Sequence, residues 1–210
     1  MSDVVLYDYW RSSASYRVRI ALNMLGIAYK RVPINLLEGE QNSADYLALN
    51  PQGFVPTLTI DGEILTQSLA IIEFLAELRP ESGLMPSDSA SRRHVRALAY
   101  AIAMDIHPIC NTHVAAHIMA ITDRADAREE WMRHFIAGGL SKLEVMLGKF
   151  EGSFSFGDTP TMADICLVPQ VYNARRWGVD LTDLKRIVEI DARCTSLPAF
   201  QAAHPDRVKP

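Results

Sequence analysis

The sequence predicts an α/β domain followed by an all-α region. Two observations carry this reading: short strand and helix signals alternate over roughly the first 80 residues, and the remainder holds long helical patterns with almost no strand signal. A third is the stretch Gly83-Leu84-Met85-Pro86-Ser87-Asp88, whose composition is that of a linker and which falls where the pattern changes. The expected domains are therefore 1–82 and 88–210. A chain of 210 residues is long enough to bury a substantial core in each.

The elements follow in order. Val4-Val5-Leu6-Tyr7 reads as a strand, and Val18, Ala21, Leu22 and Leu25 recur at helical spacing before Gly26, which suits a C-terminal cap. Ala28 to Ile34 reads as a second strand. Ala44 to Leu49 reads as a short helix that ends at Asn50-Pro51, because proline drives the preceding residue out of the helical region. Thr57-Leu58-Thr59-Ile60 and Glu63-Ile64-Leu65 flank Asp61-Gly62, a dipeptide suited to the positive φ angles of a tight hairpin. Gln67-Ser68 then opens an apolar helix through Leu69, Ile72, Leu75 and Ala76 that stops near Pro80. The order βαβαββα is that of a thioredoxin-like domain.

Beyond the linker, two long helical regions are expected, roughly Ser89 to Ile121 and Ala125 to Phe150, forming a helical bundle. Thr161 and Asp164 stand at capping-box spacing, with Asp in place of the usual Glu or Gln, and mark a helix start. Shorter helices near Leu184 to Cys194 and Leu197 to Ala203 complete the pattern.

Composition excludes several classes of function. Hydrophobic residues at 49% and charged residues at 22% leave little room for long disorder. A net charge of −4 argues against a nucleic-acid surface, which needs a concentrated basic face. The N-terminus, Met1-Ser2-Asp3-Val4-Val5-Leu6-Tyr7, lacks the basic flank and apolar run of a secretory leader. No uncharged stretch approaches the roughly 18 residues of a membrane span. Cys110, Cys166 and Cys194 are odd in number, far apart and outside any CxxC pattern, so buried, reduced thiols in a cytoplasmic protein are expected.

Three segments carry candidate chemistry. Ser12, Ser13 and Ser15 lie between the first strand and first helix, where N–H groups without intrahelical partners and a positive macrodipole favour an anion. Serines there are ordinarily caps. A thiolate held there by a serine hydroxyl would have a lowered pKa, but the segment offers no cysteine of its own. Val55-Pro56 precedes a strand. A cis bond there would present the Val55 N–H and C=O to an extended peptide, although an ordinary strand-edge proline fits the same sequence. Gln67-Ser68 combines an amide, a hydroxyl and a helix start, suited either to a carboxylate or to capping. His113 and His117 share a helical face, but without the rest of a ligand set they read as helix-surface residues, and no metal is expected.

The same ordered set resembles the glutathione site of the glutathione transferase superfamily. Ser12-Ser13-Ala14-Ser15-Tyr16-Arg17-Val18-Arg19-Ile20-Ala21-Leu22 is similar to the signature of its zeta class, whose members include maleylacetoacetate isomerases. Asn50 to Leu58, Gln67 to Glu73 and Thr161 to Val171 resemble the corresponding family segments, so the likeness spans nearly the whole chain. It implies the glutathione transferase fold, with glutathione on the first domain and substrate in the cleft between the two. The implied glutathione contacts are Ser12, Ser13, Ser15, Gln41, Val55, Gln67, Ser68, His107 and Asn111, with Ser13 or Ser12 activating the thiol. The resemblance further implies addition of the thiolate to a cis double bond, rotation and elimination. Arg11, Arg176 and His113 would bind the carboxylates of a small dicarboxylate, whereas Arg175 reads as a solvated surface residue. Ala14 departs from the family, which has cysteine there, so any mechanism needing that thiol is placed in doubt.

The expected activity is conversion of maleylacetoacetate to fumarylacetoacetate in tyrosine and phenylalanine breakdown, by a homodimer. Related maleylpyruvate isomerases have arginine where this chain has His113, which tilts the reading towards maleylacetoacetate. Maleylpyruvate isomerisation and glutathione transfer to α-halo acids are the enzymatic alternatives. A non-catalytic interaction module is the alternative from another class.

Overall fold

The structure, a computed structural model, describes residues 3–210. Met1 and Ser2 lie outside the described residues. The chain divides into two compact units. One runs to Ser82 and also contains Leu197–Pro210; the other is Gly83–Ser196.

The first unit holds β1 (Val5–Asp8), α1 (Ser13–Met24), β2 (Lys30–Pro33), α2 (Ala44–Leu49), β3 (Thr57–Ile60), β4 (Glu63–Thr66) and α3 (Ser68–Leu78). The sheet order is β2-β1-β3-β4. β1 and β2 are parallel, as the crossover through α1 requires, and the other two pairings are antiparallel. Asp61 and Gly62 turn the β3–β4 hairpin with φ of 50° and 87°, the paired positive angles that such a dipeptide favours. Leu6, Leu58, Ile60, Leu22, Ile71 and Leu75 are buried in the core, each side chain contributing about 1.5–3 kcal/mol of transfer free energy. A smaller cluster of Tyr9, Ile34, Tyr46 and Val55 packs with Trp10 and Leu36 at its margin.

The helical stretch of 88–210, expected as one domain, is divided between the units. After Ser196 the chain forms α9 (Pro198–Ala203) and α10 (Pro205–Val208), which cluster with the first unit. Side chains of α1 and β2 capture three of their carbonyls: Asn23 Nδ2 donates to Ala199 (3.1 Å), Arg19 Nε to Ala203 (3.0 Å) and Arg31 Nη1 to Val208 (2.9 Å).

The second unit comprises α4 (Ser89–Ala103), α5 (Thr112–Ile121), α6 (Ala127–Leu147), α7 (Met162–Arg176) and α8 (Lys185–Thr195). The region Ser89 to Ile121 is not one helix. Residues 104–111 form turns containing Pro108, whose missing N–H and ring clash oppose helical continuation, and Asn111 then caps α5. The capping box forms as expected: the Asp164 carboxylate accepts the Thr161 N–H at 2.8 Å, and the Thr161 hydroxyl accepts the Ala163 N–H at 3.3 Å. Asp164 also accepts the Ser155 N–H (2.8 Å), so one buried carboxylate ties the loop before α7 to its first turn. Among the described residues no helix is long and apolar enough to cross a membrane.

Candidate active site

The turn from β1 into α1 is built around Ser12. Its N–H donates to the Tyr9 carbonyl (2.9 Å), and its Oγ accepts the Ser15 N–H (3.2 Å), making it the N-cap. Ser13, the first residue of α1, is half-buried, and among the described residues its hydroxyl has no hydrogen-bond partner. The structure thus separates two serines that the sequence leaves equivalent. Ser15 is fully enclosed, with its Oγ in the interior and its N–H spent on Ser12. The helical register turns its side chain to the packed face of α1. Ala14 is buried beside it.

Arg11 immediately precedes this cap. Its guanidinium lies 5.3 Å from the centroid of the Trp10 ring, and it lines a cleft of about 380 Å³ with Tyr9, Trp10, Arg31 and Leu37. No protein thiol is available for the chemistry. The three cysteines are free and buried, and burial pushes the Cys110 thiol up to about 11 and the Cys194 thiol higher, the latter reinforced by Asp164 and Asp191.

The loop before β3 carries the second feature. The Val55-Pro56 bond is cis. Tyr46 and Asn50 shape the loop by donating to the Phe54 carbonyl, each at 2.7 Å, and Tyr46 also shares a hydrogen bond with the Thr57 hydroxyl (3.0 Å). Among the described residues the Val55 N–H and C=O have no partner, which leaves them open to an extended peptide.

The third feature is the start of α3. Gln67 has φ of 67° and ψ of 110°, a costly conformation for a residue with a Cβ, and it makes no side-chain cap. Its Nε2 instead donates to Gln52 Oε1 (2.8 Å). The plain N-cap reading of Gln67 is therefore replaced by a helix start without a side-chain cap, which suits a carboxylate. Ser68 Oγ accepts from Nη1 of Arg17 (3.3 Å), a fully buried guanidinium beneath that helix start. Gln41, in a short 3₁₀ turn at Glu40–Asn42, has a buried Oε1 without a partner.

The remaining candidates belong to the second unit. His107 is half-buried in the turn after α4, its N–H donating to the Ile102 carbonyl (3.0 Å). Asn111 spends its Oδ1 on the Thr112 N–H (2.7 Å) as the α5 cap. His113 is exposed in the first turn of α5. Arg176 is exposed at the end of α7, 4.9 Å from the Trp177 ring centroid. Arg175 is more than a solvated residue: Nη1 pairs with the nearly buried Asp191 at 2.6 Å. Among the described residues no cluster of His, Cys, Asp and Glu is arranged to hold a metal.

Sequence reasoning missed Arg17, Arg19 and Gln52. The first two carried a signal, since charged residues interleaved with Val18, Ile20 and Leu22 on a helix that packs on nearly all sides must be buried and paired.

These open groups suit glutathione: an extended peptide that pairs with Val55, a carboxylate at the start of α3 and a thiol at the start of α1. Comparison with known proteins agrees. The model of the glutathione S-transferase N-terminal domain matches residues 2–77, and that of the C-terminal domain matches 125–202. A maleylacetoacetate isomerase from Rhizobium meliloti is 60% identical over 100% of this chain and 99% of its own length. A maleylpyruvate isomerase, described as a bacterial glutathione S-transferase in the zeta class, superposes with a TM-score of 0.94 at 41% identity over 98% of both chains. The maleylacetoacetate isomerase of Anaeromyxobacter dehalogenans, solved with glutathione in its active site, gives a TM-score of 0.89 at 44% identity over 99% of this chain and 97% of its own. The same enzyme solved with dicarboxyethyl glutathione and citrate gives 0.88 at 43% identity over 99% and 96%. With both domain models matched and relatives alike from end to end, the chain belongs to the glutathione S-transferase family, in its zeta class.

Proposed function

We propose that the protein is a glutathione-dependent cis–trans isomerase that converts maleylacetoacetate to fumarylacetoacetate. The observation that carries this reading is the unspent Ser13 hydroxyl at an anion-favouring helix start, directly after Arg11, in a chain whose own thiols are all buried. Glutathione, when bound, supplies the thiolate that adds reversibly to the cis double bond.

The chain's own residues do the rest. Val55 pairs with the peptide backbone, while Ser68 and the α3 start hold a carboxylate and Gln41 accepts a donor. Ser13 donates a hydrogen bond from its hydroxyl to the anionic sulfur, and the amides at the α1 start add their partial positive charge, so the thiol ionises near neutral pH. Arg11 and Arg176 bind the carboxylates of the substrate, and guanidinium charge offsets the enolate charge that develops as the double bond is lost. His107, Asn111 and His113 are further candidate contacts.

Maleylpyruvate isomerisation is the nearest second reading, supported by the likeness to the maleylpyruvate isomerase. The exposed His113, where those enzymes carry arginine, favours the first. Glutathione transfer to α-halo acids would use the same thiolate, whereas a non-catalytic role would leave Ser13 and Arg11 without a task. A cytoplasmic homodimer belongs to the same reading.

Purified protein offered maleylacetoacetate and maleylpyruvate, with and without glutathione, tests it. Glutathione-dependent turnover with higher kcat/KM for maleylacetoacetate is expected. No turnover of either would sink the isomerase reading, and binding to immobilised glutathione alone would favour an interaction module.

A further inference from the structure

Asp8, at the end of β1, is fully buried and faces two guanidinium groups. Arg19 of α1, also fully buried, donates from Nη1 to both Asp8 oxygens (2.8 and 2.9 Å). Arg31 of β2 donates from Nε to Asp8 Oδ2 (2.9 Å). Three further donors go to main-chain carbonyls in two separate stretches of chain. Arg19 Nη2 holds the Trp10 carbonyl (2.9 Å) and Nε that of Ala203, while Arg31 Nη1 holds that of Val208. Lys209, the next residue, places Nζ 5.3 Å from the centroid of the Trp10 ring, the ring that Arg11 also covers.

Buried ion pairs add little net stability, because desolvating the charges offsets most of their attraction. What this cluster does supply is geometry. It fixes the carbonyl of the peptide that leads into Arg11, and it holds the last residues of the chain against the ring on which Arg11 rests. An arginine must be oriented to bind a carboxylate through two parallel N–H groups, and here both its backbone and its platform are set from outside the loop.

We propose that Asp8, Arg19 and Arg31 are positioning residues for the Arg11 guanidinium, acting through the Trp10 carbonyl and through the C-terminal residues they hold beside the Trp10 ring. The inference rests on the reading that Arg11 binds a substrate carboxylate. It makes Val208 and Lys209 determinants of substrate affinity more than of glutathione affinity, because none of the hydrogen bonds from Arg19 and Arg31 goes to Val55, Gln67 or Ser68.

Arg19 variants would leave Asp8 buried with half its compensation and are poor probes. Arg31, partly exposed, and Lys209, exposed, are better. Arg31→Gln is expected to raise the KM for the dicarboxylate about tenfold while leaving the KM for glutathione within about twofold, since a small displacement of a binding group is costly. Arg31→Lys restores the charge facing Asp8 and should recover part of that loss. Lys209→Ala, which removes the ammonium from over the ring, should raise the same KM about threefold. Equal changes in both KM values, or an unchanged dicarboxylate KM in folded Arg31→Gln and Lys209→Ala, would overturn the proposal. If wild-type protein turns over no substrate, the proposed function fails and the positioning is read by calorimetry with maleate and glutathione-loaded protein. Weaker maleate binding in Arg31→Gln and Lys209→Ala supports it; unchanged binding, or none to wild type, overturns it.

Discussion

Replacing Ser13 by alanine separates catalysis from folding. The Ser13 hydroxyl has no partner among the described residues, so its removal costs the fold little. In the complex it would make one hydrogen bond to an anionic sulfur, and a bond to a charged group is worth about 1.5–3 kcal/mol. At 1.36 kcal/mol per unit, the pKa of the bound thiol rises by about 1–2 units in Ser13→Ala. The sign is fixed, because losing a donor to the thiolate disfavours the charged form. The thiolate fraction and kcat/KM at neutral pH then fall about 10- to 100-fold, and activity recovers as pH is raised through the new pKa. Ser12→Ala behaves in the opposite way in a melting experiment. Removing the cap that accepts the Ser15 N–H costs about 1 kcal/mol, or roughly 2–4 °C in Tm for a chain of this size. The assays are thermal melting and a pH titration of thiolate ultraviolet absorbance on glutathione-loaded protein. A Ser13→Ala variant with the wild-type thiol pKa, or one that melts several degrees lower, would refute the division of roles.

Three further outcomes follow from the same geometry. Ser68→Ala removes a candidate carboxylate contact and the acceptor of buried Arg17, so it should weaken glutathione binding about tenfold and lower stability by about 1–3 kcal/mol in a denaturant titration. The folded protein should resist a maleimide-type thiol reagent at neutral pH, since all three thiols are buried and that of Cys110 ionises only near 11; mass spectrometry should find three labels only after denaturation. Gly152→Ala drives a Cβ into the Gly157 carbonyl at φ of 108°, so the second unit should lose several kcal/mol, at least about 3, by chemical denaturation.

Local signals were legible wherever the cause is local. Asp61-Gly62 dictates its hairpin through φ, and Thr161 and Asp164 dictate a helix start through hydrogen bonds of 2.8 and 3.3 Å, whereas the residues around Val55-Pro56 suit a cis bond and an ordinary strand-edge proline alike, and the bond is cis. The break in Ser89 to Ile121 was legible too, because Pro108 stands inside it, but the 3.6-residue periodicity on either side masks it. The partners of Arg19 were not readable. The Ala203 carbonyl lies 184 positions away, so although their apolar neighbours point both Arg17 and Arg19 inward, no local pattern names the partner. The capture of α9 and α10 by the first unit is hidden for the same reason. Ser12 and Ser13 look alike as letters, and only the register of α1 assigns the cap to one and leaves the other unspent.

On the proposed function, this chain borrows a thiol and returns it. Counting free glutathione before and after many turnovers of maleylacetoacetate tests it most directly. Trans product in large excess over enzyme, no product without glutathione, and an unchanged glutathione concentration are expected. Turnover without glutathione, or glutathione consumed one for one with substrate, would contradict it.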